Sequence, residues 1–150
     1  MARLRRLLMI PLLAFCATSL SGCFGWFGGS MSERECLTRA MYFESIRSSE
    51  EGMLAVGTVV MNRLHSGRYG RSVCAVVGAP NQFAPGVLTK KLTEKRSVEL
   101  AWAVAGRVLS GARHPGVQNA QFFHTAGLTF PYKNMHYVLV AGGNAFYEKR

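Results

Sequence analysis

Residues 53–61, MLAVGTVVM, constrain the fold of this chain more than any other stretch of its sequence. If they are helical, the helix is apolar on nearly every side, and such a helix must be buried by other elements all around. Residues 48–51 read S-x-x-E, a capping box whose side chains satisfy exposed backbone donors at a helix start. The sequence therefore predicts a central buried helix that begins at this capping box and ends near Leu64.

The segments around the central helix indicate a mixed fold. Apolar residues spaced three and four apart predict further helices at residues 33–46 and 93–110. Glycine and proline interrupt residues 66–89, so this region is predicted to consist mostly of turns around a short apolar piece. Residues 121–124 and 137–140 have the composition of short strands. We therefore predict an α+β fold, with several helices and a small antiparallel β element.

The first residues are typical of an export signal. Arginines precede an apolar run at residues 7–17, which is too short to span a bilayer as a helix. The sequence LSGC, ending at Cys23, resembles the bacterial lipobox, whose cysteine is lipidated and becomes the new N-terminus. An ordinary signal peptide with an incidental cysteine is the alternative. The sequence thus predicts a lipoprotein signal at residues 1–22, a lipidated cysteine and flexible glycine-rich tether at residues 23–32, and one folded domain at residues 33–150.

Export also limits the partners of the domain. The formal net charge is +10 and falls by three when Arg3, Arg5 and Arg6 leave with the signal, so the domain stays basic and suits an acidic polymer or an anionic surface. Nucleic acid is not expected as a partner outside the cytoplasm, whereas peptidoglycan is at hand; a solvated basic surface without a specific partner is the alternative. Phe24 stands where inner-membrane lipoproteins often carry aspartate. We therefore expect a monomer in the cell envelope, on the periplasmic side, anchored to the outer membrane through Cys23.

Two cysteines, Cys36 and Cys74, remain for the folded domain once Cys16 has left with the signal and Cys23 carries the lipid. In an oxidising compartment such a pair is expected to form a disulfide. The bridge would close a loop of roughly 40 residues and stabilise the fold by about 2–4 kcal/mol. A catalytic thiolate and two free buried thiols are the alternatives.

Glu44 is the most unusual residue of the first predicted helix. It follows a run of apolar and aromatic residues and shares one helical face with Leu37, Ala40 and Met41, at spacings of seven, four and three. Desolvation on an apolar face raises the pKa of a carboxyl group, as does a position near the negative end of a helix. The alternative is that Glu44 pairs with Arg47 or Arg63 inside the fold.

A carboxyl group that holds its proton near neutral pH can protonate the leaving oxygen of a glycosidic bond. Most glycosidases pair that acid with a second carboxylate. This chain has no aspartate, and its other glutamates are explained by the helix cap or by surface positions. The sequence therefore favours a mechanism with a single acid, Glu44.

An ordered series of residues resembles the SleB-type cell-wall hydrolase family. It runs Cys36-Leu37, AMYFE at residues 40–44, Gly52, LAV at residues 54–56, Val59-Val60, Asn62-Arg63, Tyr69, Val73-Cys74, Val76-Val77 and Gln82-Phe83. The ending AGGNAFY, residues 141–147, is similar to the family's closing Gly-rich strand with its Phe-Tyr pair. The resemblance covers residues 36–147 and implies a compact lysozyme-like domain, similar to lytic transglycosylases and resuscitation-promoting factors, that cuts the glycan strand of peptidoglycan.

The resemblance places the family's proposed catalytic acid on Glu44. It implies that Glu44 protonates the oxygen between N-acetylmuramic acid and N-acetylglucosamine, then takes the proton of the six-position muramyl hydroxyl as a 1,6-anhydro ring closes. Hydrolysis by water is the close variant. Asn62 and Arg63 are candidates for positioning Glu44, or they cap the central helix. The candidates for sugar binding, chosen as aromatic faces and polar side chains, are Gln82, Phe83, His124, Tyr132, Asn134 and Tyr147; Phe83 and Tyr147 are equally consistent with core packing, and His124 and His136 with structural histidines.

Three other functions are alternatives for this chain. A zinc amidase needs metal ligands, but the chain has no H-E-x-x-H motif and its histidines are scattered, so we expect neither a metal nor a cofactor. A papain-like wall endopeptidase could use Cys74 with His124 or His136, which a disulfide to Cys36 would exclude. An inactive peptidoglycan-binding lipoprotein is the third, because residues 45–48 read SIRS where the family usually reads Ala-Arg-Gly-Glu, and Met53 replaces the family's glutamine.

Overall fold

The computed structural model describes residues 30–150. The predicted signal at residues 1–22, the lipidated Cys23 and most of the tether at residues 23–32 lie outside the described residues. Within residues 30–150, no helix is both long enough and apolar enough to cross a bilayer.

Helices make up the first two thirds of the described chain, and a small sheet closes it. The sheet has three antiparallel strands in the order β1-β3-β2. This arrangement agrees with the predicted α+β class. The elements are α1 (Glu33–Glu44), α2 (Glu50–Ser66), α3 (Val73–Gly78), α4 (Lys95–Leu109), a 3₁₀ turn (Pro115–Val117), β1 (Phe122–Thr125), β2 (Met135–Ala141) and β3 (Asn144–Lys149).

Helix α2 is the buried helix at the centre of the domain, as its apolar sequence predicts. Met53, Val56, Val59 and Val60 have no exposed surface, and the helix packs against α1, α3 and α4. Burying one such side chain contributes about 1.5–3 kcal/mol. A helix enclosed on three sides therefore anchors every other helix of the fold.

The start of α2 differs from the prediction by one residue. Ser49, and not Ser48, is the N-cap, and its hydroxyl accepts a hydrogen bond from the amide of Gly52 at 3.0 Å. The amide of Ser49 donates to the carbonyl of Ile46 at 2.8 Å, so a tight turn takes up Ser48 before the helix begins. The helix ends at Ser66, where Gly67 adopts a left-handed conformation, and not at Leu64.

Helix α1 ends at Glu44 and not at residue 46. Ser45 is extended, and the amide of Ile46 donates to the carbonyl of Gly142 at 2.9 Å instead of continuing the helix. A contact with the hairpin between β2 and β3 therefore ends the helix. The sequence around Ser45 carries no helix-stop signal of its own, which is why periodicity overestimated the helix.

The region at residues 66–89 contains one helix, α3, where turns around an apolar piece were predicted. The hydroxyl of Ser72 caps it by accepting from the amide of Ala75 at 3.0 Å. Cys74, on this helix, forms the predicted disulfide with Cys36 on α1. Neither sulfur is therefore a free thiol, and the alternatives of a catalytic thiolate or two free thiols are excluded for the oxidised domain.

The sheet has one face on the helical core and one face toward solvent. Phe123 of β1 pairs with Phe146 of β3, and both face the helices. Phe122 pairs with Tyr147 on the opposite face. Sequence composition alone indicated β1 and β2, whereas β3 was implied only by the family's closing strand.

The turn between β2 and β3 packs directly on the first turn of α2. Gly142 has φ of 54° and lies against Gly52, where a Cβ on Gly52 would be 2.4 Å from the Cα of Gly142. Real Cβ atoms do not approach backbone so closely, so two facing glycines are required. This contact fixes the hairpin beside the end of α1.

We expect Gly52→Ala to lower the free energy of unfolding by about 1–3 kcal/mol, because the new methyl group meets rigid backbone. Gly106→Ala is the matched control: it also adds a methyl inside a helix, but that methyl meets the end of the Arg34 side chain, which can move away if it gives up its hydrogen bonds to the carbonyl of Trp102. The control should destabilise less than Gly52→Ala, since the preference of alanine over glycine in a helix, about 1 kcal/mol, offsets the hydrogen bonds that Arg34 loses. Chemical denaturation measures both. Equal stability of the two variants would contradict the close approach of Gly52 and Gly142.

Candidate active site

Glu44 is the last residue of α1, and two segments distant in sequence meet at it. One carboxylate oxygen, Oε1, accepts a hydrogen bond from the backbone amide of Ala84 at 2.6 Å. The side-chain amide of Asn144, at the start of β3, donates to the backbone carbonyl of Glu44. Glu44 is half-buried, while its apolar neighbours Leu37, Ala40 and Met41 on the same face are fully buried. The predicted helical face is therefore correct.

The carboxyl group of Glu44 lines an open cavity of about 320 Å³. The walls come from the loop after α3, from β1 and the residues that follow it, and from the start of β3. Among the described residues that line this cavity, Glu44 is the one residue with a carboxyl group. The cavity is lined by Glu44, Asn81, Gln82, Phe83, Phe123, His124, Thr125, Leu128 and Asn144. The predicted site residues Gln82, Phe83 and His124 thus lie together with Glu44.

Burial raises the pKa of the Glu44 carboxyl above its usual value of 4.5. The amide of Ala84 and the positive charges of Arg63 and Lys90 act in the opposite direction, but burial is the larger effect. Within residues 30–150 Glu44 forms no ion pair, because Arg47 pairs with Glu94 and no cation lies within salt-bridge distance of Glu44. A structural ion pair therefore does not explain why Glu44 is there.

Arg63 lies behind the cavity and connects its walls. It is only 4% exposed. Its Nε donates to the carbonyl of Gln121 at 2.7 Å, just before β1, and its Nη1 donates to the carbonyl of Gln82 at 3.4 Å. The guanidinium carbon is also 4.9 Å from the ring centre of Phe83 and 5.8 Å from that of Phe123. Arg63 therefore holds the two cavity walls together while adding positive charge near Glu44.

Asn62 has a different position from the one predicted. Its side-chain amide donates to the carbonyls of Gln118 and Ala120, both at 2.9 Å, and it does not line the Glu44 cavity. It fixes the approach to β1 and does not position Glu44. Neither Asn62 nor Arg63 caps α2, because the helix continues to Ser66.

A second cavity, of about 210 Å³, adjoins the first on the solvent face of the sheet. His124 lines both cavities. The remaining predicted sugar-binding residues, Tyr132, Asn134 and Tyr147, line this second cavity together with Phe130, Met135 and Lys149. The structure thus divides the predicted set into two groups that share His124.

His124 is held in a defined orientation between the two cavities. Its Nδ1 is 2.8 Å from the carbonyl of Thr125, and its Nε2 is 2.9 Å from the hydroxyl of Tyr137. In the neutral imidazole, Nδ1 donates to the carbonyl and Nε2 accepts from the tyrosine. Phe130 packs edge-on against the ring at 4.7 Å. His136, the other histidine considered, lines neither cavity.

Sequence reasoning missed the residues that hold Glu44. Ala84 contributes only its backbone amide, which leaves no signature in a sequence. Asn144, which the structure buries, lies in the AGGN stretch of the closing segment, and a polar residue directly after two glycines was a sequence signal that could have been used. Among residues 30–150, no three His, Cys or Glu side chains converge as metal ligands.

Comparisons with known proteins identify the class to which this fold and site belong. The cell wall hydrolase family model matches residues 47–147. The chain therefore belongs to the cell wall hydrolase family, which confirms the resemblance to SleB-type enzymes and the prediction of an enzyme. The matched range begins three residues after Glu44. A sequence comparison with functionally curated proteins gave no match.

Two solved structures are similar to the chain. The catalytic domain of the germination-specific lytic transglycosylase SleB from Bacillus anthracis is 25% identical, with a TM-score of 0.63, over 81% of this chain and 98% of that chain. The catalytic domain of the Bacillus cereus SleB protein is 23% identical, with a TM-score of 0.61, over 80% of this chain and 94% of that chain. These similarities confirm the predicted lysozyme-like α+β fold.

We expect the stability of Glu44→Gln relative to wild type to increase with pH. The folded-state pKa of Glu44 is raised, so the folded protein binds this proton more tightly than the unfolded chain. The resulting stabilisation is fully present below the pKa of the unfolded chain and is lost as the pH rises through the folded-state pKa. Glutamine, which mimics the protonated acid, avoids that loss.

Denaturation of both proteins from about pH 4 to about pH 8 measures this difference. The exposed Glu99→Gln on α4 is the control and should give no comparable trend. A difference between wild type and Glu44→Gln that does not change with pH would show that the carboxyl of Glu44 is not desolvated.

Proposed function

We propose that this enzyme cleaves the glycan strand of peptidoglycan with Glu44 as its single catalytic acid. The observation that supports this most directly is the position of Glu44, a half-buried carboxyl with a raised pKa that lines an open cavity. Among the described residues, no second carboxyl lines this cavity. Cleavage of a glycosidic bond requires an acid that can donate a proton to the leaving oxygen, and the raised pKa of Glu44 favours its protonated form at the cavity.

The proposed reaction uses Glu44 first as an acid and then as a base. Its proton moves to the oxygen that joins N-acetylmuramic acid to N-acetylglucosamine, and the bond from the anomeric carbon to that oxygen breaks. The resulting carboxylate takes the proton of the six-position hydroxyl of the muramyl sugar, whose oxygen closes a 1,6-anhydro ring. The amide of Ala84 and the charge of Arg63 stabilise the carboxylate between the two steps.

Transfer to the muramyl hydroxyl is favoured over hydrolysis by the name of one structural relative. The similar Bacillus anthracis domain is described as a lytic transglycosylase. An inverting hydrolase needs a second carboxylate to activate water. Among the described residues, none that lines the cavity supplies one besides Glu44. Hydrolysis, with water in place of the hydroxyl, remains the competing outcome of the experiment below.

We propose that the sugar chain lies across both cavities, with His124 at their boundary. Tyr132 is 66% exposed and Phe130 is 41% exposed, and their rings are stacked with an interplanar angle of 13°. Contiguous exposed aromatic rings are uncommon on a soluble domain and mark binding surfaces. Their flat faces suit the apolar faces of pyranose rings, while Asn134 and Gln82 can hydrogen-bond acetamido groups.

We further propose that the domain is a monomer anchored through a lipid on Cys23, on the periplasmic side of the outer membrane. The lipobox and Phe24 support the anchor and its location. The tether enters the domain at the first residue of α1, whereas Glu44 is the last residue of this 12-residue helix. The two are separated by about 18 Å at 1.5 Å per residue. An anchored domain would therefore present Glu44 at the end of α1 away from the tether.

The expected products decide whether the enzyme is active and which reaction it performs. Residues 30–150, which keep the Ser32 cap of α1, should release muropeptides from purified sacculi that end in 1,6-anhydromuramic acid, one water lighter than the reducing-end products of hydrolysis. Glu44→Gln should lower the rate by at least about 10²-fold, the usual contribution of a general acid. Mass spectrometry identifies the products, and Glu99→Gln should retain the wild-type rate.

Release of reducing-end products would assign hydrolysis. A wild-type rate for Glu44→Gln would exclude Glu44 as the catalytic acid. Binding of sacculi without any release of fragments would favour the inactive peptidoglycan-binding lipoprotein, which the SIRS sequence at residues 45–48 keeps as the second candidate. The third candidate, a cysteine endopeptidase, lacks support because Cys74 is bonded to Cys36.

The contribution of the exposed rings of Phe130 and Tyr132 to glycan binding can be measured without turnover in the Glu44→Gln background. Adding Tyr132→Ala should raise the Kd for soluble glycan fragments about tenfold, which corresponds to about 1.4 kcal/mol. Tyr132 is too exposed to support the core, so folding should not change. Leu109→Ala, an exposed apolar residue on α4, is the control. An unchanged Kd for the Tyr132 variant would show that glycan does not contact the second cavity.

A further inference from the structure

A run of positive charge lies beside the candidate active site and takes no part in the reaction proposed above. We call residues 90–96, KKLTEKR, together with Arg47, the basic strip. Its four cations within the run, Lys90, Lys91, Lys95 and Arg96, are all exposed. The single acid of the run, Glu94, forms an ion pair with Arg47. The strip therefore presents a net positive surface.

Few of these charges are neutralised within the protein. Lys95 is 3.9 Å from Glu99 in a pair whose side chains are 89% and 65% exposed, so this contact contributes little. Lys90, Lys91 and Arg96 form no ion pair with any described residue of the chain. Their charges are available to a partner.

The backbone of the strip is fixed by the same helix that carries Glu44. Arg39 of α1 donates to the carbonyl of Lys90 at 2.7 Å. The hydroxyl of Tyr42, also on α1, accepts from the amides of Thr93 and Glu94 at 3.3 and 3.2 Å. The strip is therefore a defined surface next to the site, and the charge of Lys90 is close enough to affect the carboxyl of Glu44.

The strip also borders an open groove of about 570 Å³. Most residues that line the groove are polar or charged by type, but the surface that they and Leu100 expose to it is mostly apolar. The groove is lined by Arg47, Ser48, Glu94, Lys95, Arg96, Ser97 and Leu100. Its size suits an extended chain, and Lys95 and Arg96 place positive charge at its wall, where carboxylates of such a chain could bind.

We propose that the basic strip binds the carboxylates of the peptides attached to the glycan strand, so that the enzyme prefers peptide-bearing strands to bare ones. The sugars of the strand are hydrogen-bonding groups without the density of negative charge that would match the strip. The peptides that branch from muramic acid carry free carboxylates beside the bond that is cut. This inference rests on the proposed function, because it names the part of the same substrate that the strip contacts.

An anionic membrane surface is the other polyanion of the cell envelope, and the position of the strip argues against it. Arg39 and Tyr42 hold the strip along the half of α1 that ends at Glu44, whereas the tether joins at Glu33. A membrane reached through the tether would therefore lie toward the opposite end of that helix.

The test measures binding first, in the Glu44→Gln background, so that it does not depend on turnover. The probes are glycan strands with their peptides and the same strands after an amidase has removed the peptides. At about 50 mM salt the peptide-bearing strands should bind about tenfold more tightly, and this preference should shrink at about 200 mM salt. Lys91→Gln/Arg96→Gln should abolish the preference without changing the Kd for bare strands.

Arg68→Gln/Arg71→Gln is the matched control. Both arginines are exposed and lie outside the strip, and their substitution removes the same amount of charge. It should keep the preference. Equal preference in the strip variant and the control, or no preference in the Glu44→Gln protein, would overturn the proposal. So would strip-dependent binding to vesicles of anionic phospholipid without discrimination between the two kinds of strand.

Activity of the protein with Glu44 intact separates this proposal from the proposed function. If the enzyme cuts both kinds of strand, kcat/KM should favour the peptide-bearing strands about tenfold, and the strip variant should lose this ratio while keeping its rate on bare strands. If it cuts neither while the binding preference remains, the proposed function fails and the strip proposal stands.

Discussion

The end of α1 is the point on which the rest of the site depends. The last carbonyl groups of a helix lack partners within it, and here the partner of the Glu44 carbonyl is the side chain of Asn144. The hairpin that carries Asn144 reaches this point because Gly142 packs on the backbone of Gly52. Without that close contact, the sheet could not lie beside α1 and the cavity would lack one wall. The geometry of Glu44 thus follows from a packing contact between two glycines.

The electrostatic balance at Glu44 follows from the same arrangement. Burial favours the protonated acid, whereas one amide hydrogen bond and two cations outside salt-bridge distance favour the carboxylate. A direct ion pair with Arg63 would hold the carboxyl ionised, and a fully apolar pocket would prevent the later carboxylate from forming. Arg63 is instead held by carbonyl groups and aromatic rings at the cavity wall. An acid that must give up a proton and then accept one benefits from such an intermediate environment.

Sequence reasoning predicted what depends on local pattern and failed where distant backbone decides. The apolar run of α2 predicted its burial, the spacing around Glu44 predicted a carboxyl on an apolar face, and two cysteines in an exported domain predicted their bridge. Three features depend on where a distant loop and a distant hairpin lie in the folded chain: the end of α1, the cap of α2 and the amide donor from Ala84. A backbone amide has no residue type, so no sequence pattern predicts it. The same reason explains Asn62, whose polar side chain serves carbonyl groups before β1 and not the site.

Two different surfaces lie next to Glu44, the aromatic rings of the second cavity and the basic strip, and each suits a different part of a polymer substrate. The aromatic rings of the second cavity are exposed and carry little charge, which suits sugars whose binding depends on stacking and shape. The basic strip acts through charge, and its effect falls within about 10 Å at 0.1 M ionic strength. Stacking cannot distinguish a bare strand from one that carries peptides, since both present the same rings. Charge beside the cleft can, because only the peptides bring carboxylates to that distance, so selectivity for the state of the wall is expected to depend on cations that lie outside the glycan path.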